Sequence, residues 1–163
     1  MMKKADNLLT IVPALLLLVS LCFATQISDN ASPSLKGLEA VFVLVEDLPR
    51  GAVEIGLTTE KLKAVTESKL RQAGLSVPTF SYDDPYLYIS IHVVDEAFSV
   101  EVSLRESVVV KRRRSMTGRA VTWLNSITGV HRGDGNLFLD GLQEILDAFI
   151  SDFHKANPKK GPR

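Results

Sequence analysis

Between positions 86 and 94 the chain alternates. Leu87, Ile89, Ile91 and Val93 are apolar, and Tyr86, Tyr88, Ser90 and His92 stand between them. A period of two predicts a strand with one dry face. Asp83, Asp84 and Pro85 stop it at the front, where two aspartates before a proline read as turn formers rather than half of a catalytic carboxylate pair. Asp95-Glu96 turns the chain into a second half-dry strand, in which Phe98, Val100, Val102 and Leu104 alternate with Ser99, Glu101, Ser103 and Arg105. The alternation slips near Glu106-Ser107, so a bulge is expected there before the strand resumes at Val108. Upstream, residues 38–46 form a nearly continuous apolar, β-branched run, which predicts an interior strand buried on both faces and ended by Asp47 to Gly51. A fourth strand is expected over 116–125, around Trp123, and a glycine-bearing loop over 126–135.

Two stretches carry the 3.6-residue period of a helix. The first begins with Thr58 as N-cap, Leu57 and Leu62 as a hydrophobic staple, and Glu60 at the positive end of the dipole. Leu62, Val65, Leu70 and Ala73 form its expected apolar stripe, and Gly74 closes it with Leu75 behind. The second runs over 136–156, with Asp134 or Asn136 as its cap. Phe138, Leu142, Ile145, Phe149 and Phe153 form its buried stripe, widened by Leu146 and Ile150, while Asp140, Glu144, Asp147 and Asp152 face water. Asn157-Pro158 ends it.

The order strand, helix, three strands, helix predicts an α+β two-layer sandwich: a four-stranded mixed sheet with two helices on one face. A strand–helix–strand crossover of this length places the first strand parallel to 86–94. The opposite sheet face then carries Tyr86, Tyr88, Ser90, His92, Ser99, Glu101, Ser103 and Arg105, polar but aromatic.

Charge and composition narrow this picture. Lys plus Arg and Asp plus Glu are both 19 in 163 residues, so no overall charge favours nucleic acid. Lys3 and Lys4 precede an apolar run over 8–23, and Cys22-Phe23-Ala24 ends in small residues. That is the layout of a bacterial signal peptide cleaved after Ala24. Lipid attachment at Cys22 is disfavoured by bulky Leu21 before it, and an uncleaved anchor would be short. The expected organisation is a leader over 1–24, a flexible linker over 25–36, one domain over 37–157 and a basic tail over 158–163, in the periplasm or outside the cell. Cys22 is the sole cysteine, so a cleaved chain has no thiol for a disulfide, a metal or a nucleophile.

Candidate chemistry is sparse. Ser90 and His92 are about 7 Å apart along one strand face, too far for the bond that activates a nucleophile. His131 and His154 lack metal-ligand spacing with His92, and no metal or cofactor is expected. Residues 129–135 precede a helix but lack the Gly-Lys-Ser/Thr ending of a phosphate-binding loop. Lys111, Arg112, Arg113 and Arg114 at a hairpin tip are suited to lipid phosphates or an anionic glycan, or serve as a solvated tip that discourages edge pairing.

The segments Asp84-Pro85-Tyr86-Leu87-Tyr88, Thr122-Trp123 and Phe149-Ile150-Ser151-Asp152-Phe153 through Asn157-Pro158 resemble a group of small exported bacterial proteins without an assigned activity. In layout the chain also resembles periplasmic α+β modules of envelope assembly, namely the amino-terminal domain of the Tol-system propeller protein and the lipoprotein partner of the lipopolysaccharide translocon. The resemblance implies an exported α+β module and no particular chemistry. The expected function is non-catalytic binding or envelope assembly through the open sheet face or an edge, with Tyr86, Tyr88 and His92 as contact residues and an envelope protein as partner. The alternatives are an anionic lipid or glycan binder through 111–114, and an enzyme.

Overall fold

The structure is a computed structural model that describes residues 32–79 and 85–158. The leader with Cys22 and Ala24, the Asp83-Asp84 pair and the last five residues of the basic tail lie outside the described residues. Four strands form one mixed sheet in chain order: β1 (Phe42–Val45), β2 (Tyr86–Val94), β3 (Ala97–Val109) and β4 (Thr117–Val130). Helix α1 (Arg50–Glu54) and helix α2 (Thr59–Gln72) join β1 to β2, and α3 (Asn136–Ala156) follows β4. The expected α+β sandwich is therefore present, with β1 parallel to β2 and the remaining pairs antiparallel.

One face of the sheet is dry. Val43, Leu87, Ile89, Ile91, Phe98, Val100, Val102, Leu104 and Trp123 meet Leu62 and Leu70 of α2 and the Phe138–Leu142–Ile145–Phe149–Phe153 stripe of α3, and all are buried. Phe98 stacks on Phe138 with centroids 4.2 Å apart, and Trp123 meets Phe149 edge-on at 5.0 Å. Such pairs add about 0.5–1.5 kcal/mol beyond the area they bury. Asp152, expected in water, instead accepts the Trp123 indole N–H at 3.1 Å.

Local signals set the ends of α2. Thr58 Oγ1 accepts the Lys61 N–H at 3.1 Å, as its capping role requires. At the far end Gly74 takes φ +94°, the Leu75 N–H reaches the Leu70 carbonyl and the Gly74 N–H reaches that of Arg71. This pair of hydrogen bonds closes a helix and needs a left-handed residue at its centre. The buried stripe is Leu62, Thr66 and Leu70 rather than one through Val65 and Ala73. Thr66 tolerates burial because its hydroxyl bonds the Leu62 carbonyl at 2.8 Å.

Several expectations need correction. β1 is an edge strand, not an interior one, because the antiparallel β2–β3–β4 meander occupies the other side of β2. Its second apolar side is explained on the open face, where Phe42 stacks on Tyr86 with centroids 5.0 Å apart. The segment after β1 is not a simple stop, since Arg50–Glu54 makes a helical turn. The register shift lies between Leu104 and Arg105, which face Trp123 and Val121, so the extra residue is Thr122 on β4 rather than one at Glu106-Ser107. β4 runs on to Val130, so the first half of the expected loop over 126–135 is strand. Gly129 suits its place in that strand because a Cβ there would come within 2.8 Å of the Phe98 ring. The N-cap of α3 is Gly135, and Asp134 contributes by accepting the Asn136 N–H at 2.8 Å. Finally, part of the expected linker is folded: Pro33–Leu35 forms a 3-10 turn and Leu35 is fully buried. Asn157 ties this turn to the end of α3, donating to the Leu35 carbonyl and accepting from Gly37, both at 2.7 Å.

Candidate functional site

The face of the sheet away from the helices is built by the residues that alternate with the core. Strand register brings Phe42 and Leu44 of β1 beside Tyr86 and Tyr88 of β2, and these beside Arg105 and Ser103 of β3. Val121 and Leu124 of β4 follow. The centre of this face is an aromatic–arginine cluster. The Arg105 guanidinium lies 3.9 Å from the centroid of Tyr88, and that of Arg119 lies 5.1 Å from Tyr86. Each cation sits over the electron-rich face of a ring, an attraction of about 0.5–1 kcal/mol at an exposed site. The Tyr88 pKa is raised above the ordinary tyrosine value, first by partial burial and then by the nearby Glu46 carboxylate.

Polar alternation suggests a wetter surface than the one formed. Ser103 is fully buried and Ser90 nearly so, sunk between larger neighbours. The Ser103 hydroxyl and the Arg105 Nε are buried and find no hydrogen-bond partner among the described residues. Buried polar atoms are usually paired, so both are unusual. Around them stand exposed aliphatic side chains: Leu44 is 43% exposed, Val121 49% and Leu124 53%.

The structure brings Tyr86 and Tyr88 together and leaves the other candidates apart from them. His92 is exposed on the same face, four residues along β2 from Tyr88 and hence about 13 Å away. Lys111, Arg112, Arg113 and Arg114 are all exposed at the β3–β4 tip, beyond Val109, itself about 14 Å along β3 from Arg105. The tip is held by backbone bonds from Arg113 to Val110 and from Met116 to Arg113. Among the described residues, none of these four cations is paired with a carboxylate. Phe42, Leu44 and Glu46 of the β1 segment, and Arg119, Val121 and Leu124 of β4, are members of the face that the sequence pattern did not assign to it. The signal for the first three is the parallel register itself, which puts Phe42 opposite Tyr86 and so assigns the alternate residues of β1 to this face.

The remaining histidines have structural roles. His131 is buried. Its Nδ1 accepts the Gly133 N–H at 2.9 Å, so Nε2 carries the proton and donates to the Asp95 carbonyl, also at 2.9 Å. It thereby fastens the turn before α3 to the β2–β3 hairpin. His154 Nε2 lies 3.2 Å from the Ala73 carbonyl at the end of α2, and Lys69 pairs with Asp147 between the same two helices. Clefts occur elsewhere, one lined by Ser34, Lys36, Glu39, Pro85 and Glu106 and another by Lys69, Asp147 and His154. No group of three His, Cys, Asp or Glu suited to a metal ion occurs among the described residues. Nor is any helix among them long and apolar enough to cross a membrane. No protein-family model and no curated protein matches this chain.

Proposed function

We propose that the chain is an exported, non-catalytic binding module of the bacterial envelope, and that a protein partner docks on its open sheet face. The observation that carries this reading is the Phe42–Tyr86–Tyr88–Arg105–Arg119 cluster, ringed by exposed Leu44, Val121 and Leu124. Tyrosine, arginine and aliphatic side chains packed on a rigid surface are the composition of protein interfaces, where Tyr and Arg contribute most of the binding energy. The rings are held by cross-strand neighbours, so little side-chain freedom is lost on docking. The leader-like amino terminus supports the envelope assignment, as does the resemblance of the 84–88, 122–123 and 149–158 segments to exported bacterial proteins.

A second reading rests on a different observation, the four exposed cations at positions 111 to 114 without carboxylate partners among the described residues. It assigns that tip to a lipid headgroup or an anionic glycan, an attraction that falls as salt rises. One experiment separates the two. Envelope extract is passed over the immobilised chain, a variant with Tyr86, Tyr88 and Arg105 changed to serine, and a variant with residues 111–114 changed to serine. Anionic vesicles are floated with the same three proteins. The face reading expects a retained protein that the first variant loses and the second keeps. Retention that survives the first variant contradicts it, and vesicle binding lost only in the second variant supports the tip.

A further inference from the structure

The two edges of the sheet are managed differently. β1 has four residues, and the chain just before it is covered by Ser76, which bonds Glu39 and Val41 through the backbone. β4 has fourteen residues, no proline and one charge, Arg119. An edge of that kind invites another strand unless something blocks it. It is interrupted at Thr122, the bulged residue, whose carbonyl accepts the Ser34 hydroxyl at 2.9 Å. Its second half, residues 124 to 130, is Leu-Asn-Ser-Ile-Thr-Gly-Val, without charge or proline.

The directions of the backbone groups follow from two bonds. The His131 N–H reaches the carbonyl of Glu96, immediately before β3, which turns the odd-numbered residues of this run toward β3. The Ser126 N–H is instead met by its neighbour's side chain, Asn125 Oδ1, at 2.8 Å. Leu124, Ser126, Thr128 and Val130 therefore present their backbone donors and acceptors outward.

We propose that this run pairs with the same run of a second copy of the chain, antiparallel about a twofold axis at Ile127, making one continuous eight-stranded sheet. The register is forced by the boundaries. The bulge at Thr122 ends the run on one side and the turn at His131 on the other, so pairing all seven residues with their own copy centres on the middle one. That register is self-complementary. Leu124 lies opposite Val130, which are 53% and 51% exposed in the single chain, and Ser126 lies opposite Thr128. Ile127 meets Ile127 on the helix side. Pairing of this kind makes roughly eight backbone hydrogen bonds, with the Ser126 N–H exchanging Asn125 Oδ1 for the partner strand, and places no like charges opposite each other. It also sets two open faces side by side without covering either aromatic–arginine cluster.

The test uses the full chain with Cys22→Ser, so that an introduced cysteine is the only thiol. Ile127→Cys places two sulfurs across a non-hydrogen-bonded antiparallel pair, where Cα atoms about 4.5 Å apart are within disulfide reach. Val130→Cys, on the same edge, is separated from its own copy by six residues along the strand, about 20 Å. Mild oxidation is expected to give a disulfide-linked dimer about tenfold faster, or more, in the Ile127→Cys chain than in the Val130→Cys chain. Light scattering without oxidation is expected to give the mass of two chains, and Leu124→Lys, an exposed change, to return it to one while circular dichroism is unchanged. Equal cross-linking at both positions overturns the proposal. So does a single-chain mass at every concentration, which is the outcome if another segment of the chain or a different protein holds this edge.

Discussion

The Tyr88 phenol lies beneath Arg105 and near Glu46, and its pKa is raised by partial burial and then by that carboxylate, against a lowering by Arg105. The folded state therefore favours the neutral phenol. The stability this contributes is present below the ordinary tyrosine pKa of about 10 and is lost as pH rises from there through the raised value. Titration by ultraviolet absorbance, with the other two tyrosines replaced by phenylalanine, is expected to show Tyr88 ionising at lower pH in Glu46→Gln than in the parent. An unchanged curve contradicts the Glu46 contribution. Packing at Gly129 gives a second residue-level expectation. Gly129→Ala must displace the Phe98 ring, which lies 2.8 Å from the new Cβ and is packed on Phe138, and the loss should be about 1–3 kcal/mol in urea unfolding. At Gly118→Ala the space is open, and a change within about 0.5 kcal/mol is expected.

At the scale of elements, α2 tests how far short-range signals reach. Thr58→Ala removes the acceptor for the Lys61 N–H and should cost about 1 kcal/mol of stability by thermal or urea unfolding, with Thr58→Ser close to neutral. Both ends of α2, and the extent and buried stripe of α3, were legible in the sequence because such signals are local. So was the one-sided alternation of β2 and of the first half of β3. The extent of β4 was not. Ser126, Thr128 and Gly129 look like loop residues, and they are strand because β3 supplies a continuous partner from Ala97 to Leu104. The edge position of β1 is hidden in the sequence for a related reason. A two-sided apolar strand implies an interior place only when both sides face helices, and here one side meets Tyr86 and Tyr88 on the open face. Arg50–Glu54 is too short to show a period.

For the whole molecule, the sheet divides the labour. Its dry face is closed by three helices and carries the core, while its open face gathers aromatic, aliphatic and arginine side chains from four strands. That gathering could be named only in part from the sequence, because it depends on register between segments some forty residues apart. Tyr86 and Tyr88 were visible as candidates; their neighbours Phe42, Leu44 and Glu46 were not. The central claim is that the open face, rather than the helical layer, meets the partner. It is tested most directly by placing a photoreactive phenylalanine derivative at Tyr86 in one strain and at exposed Glu144 of α3 in another, then irradiating living bacterial cells. A discrete cross-linked protein adduct is expected at position 86 and not at position 144. Adducts of equal yield at both positions, or at 144 alone, would contradict the account.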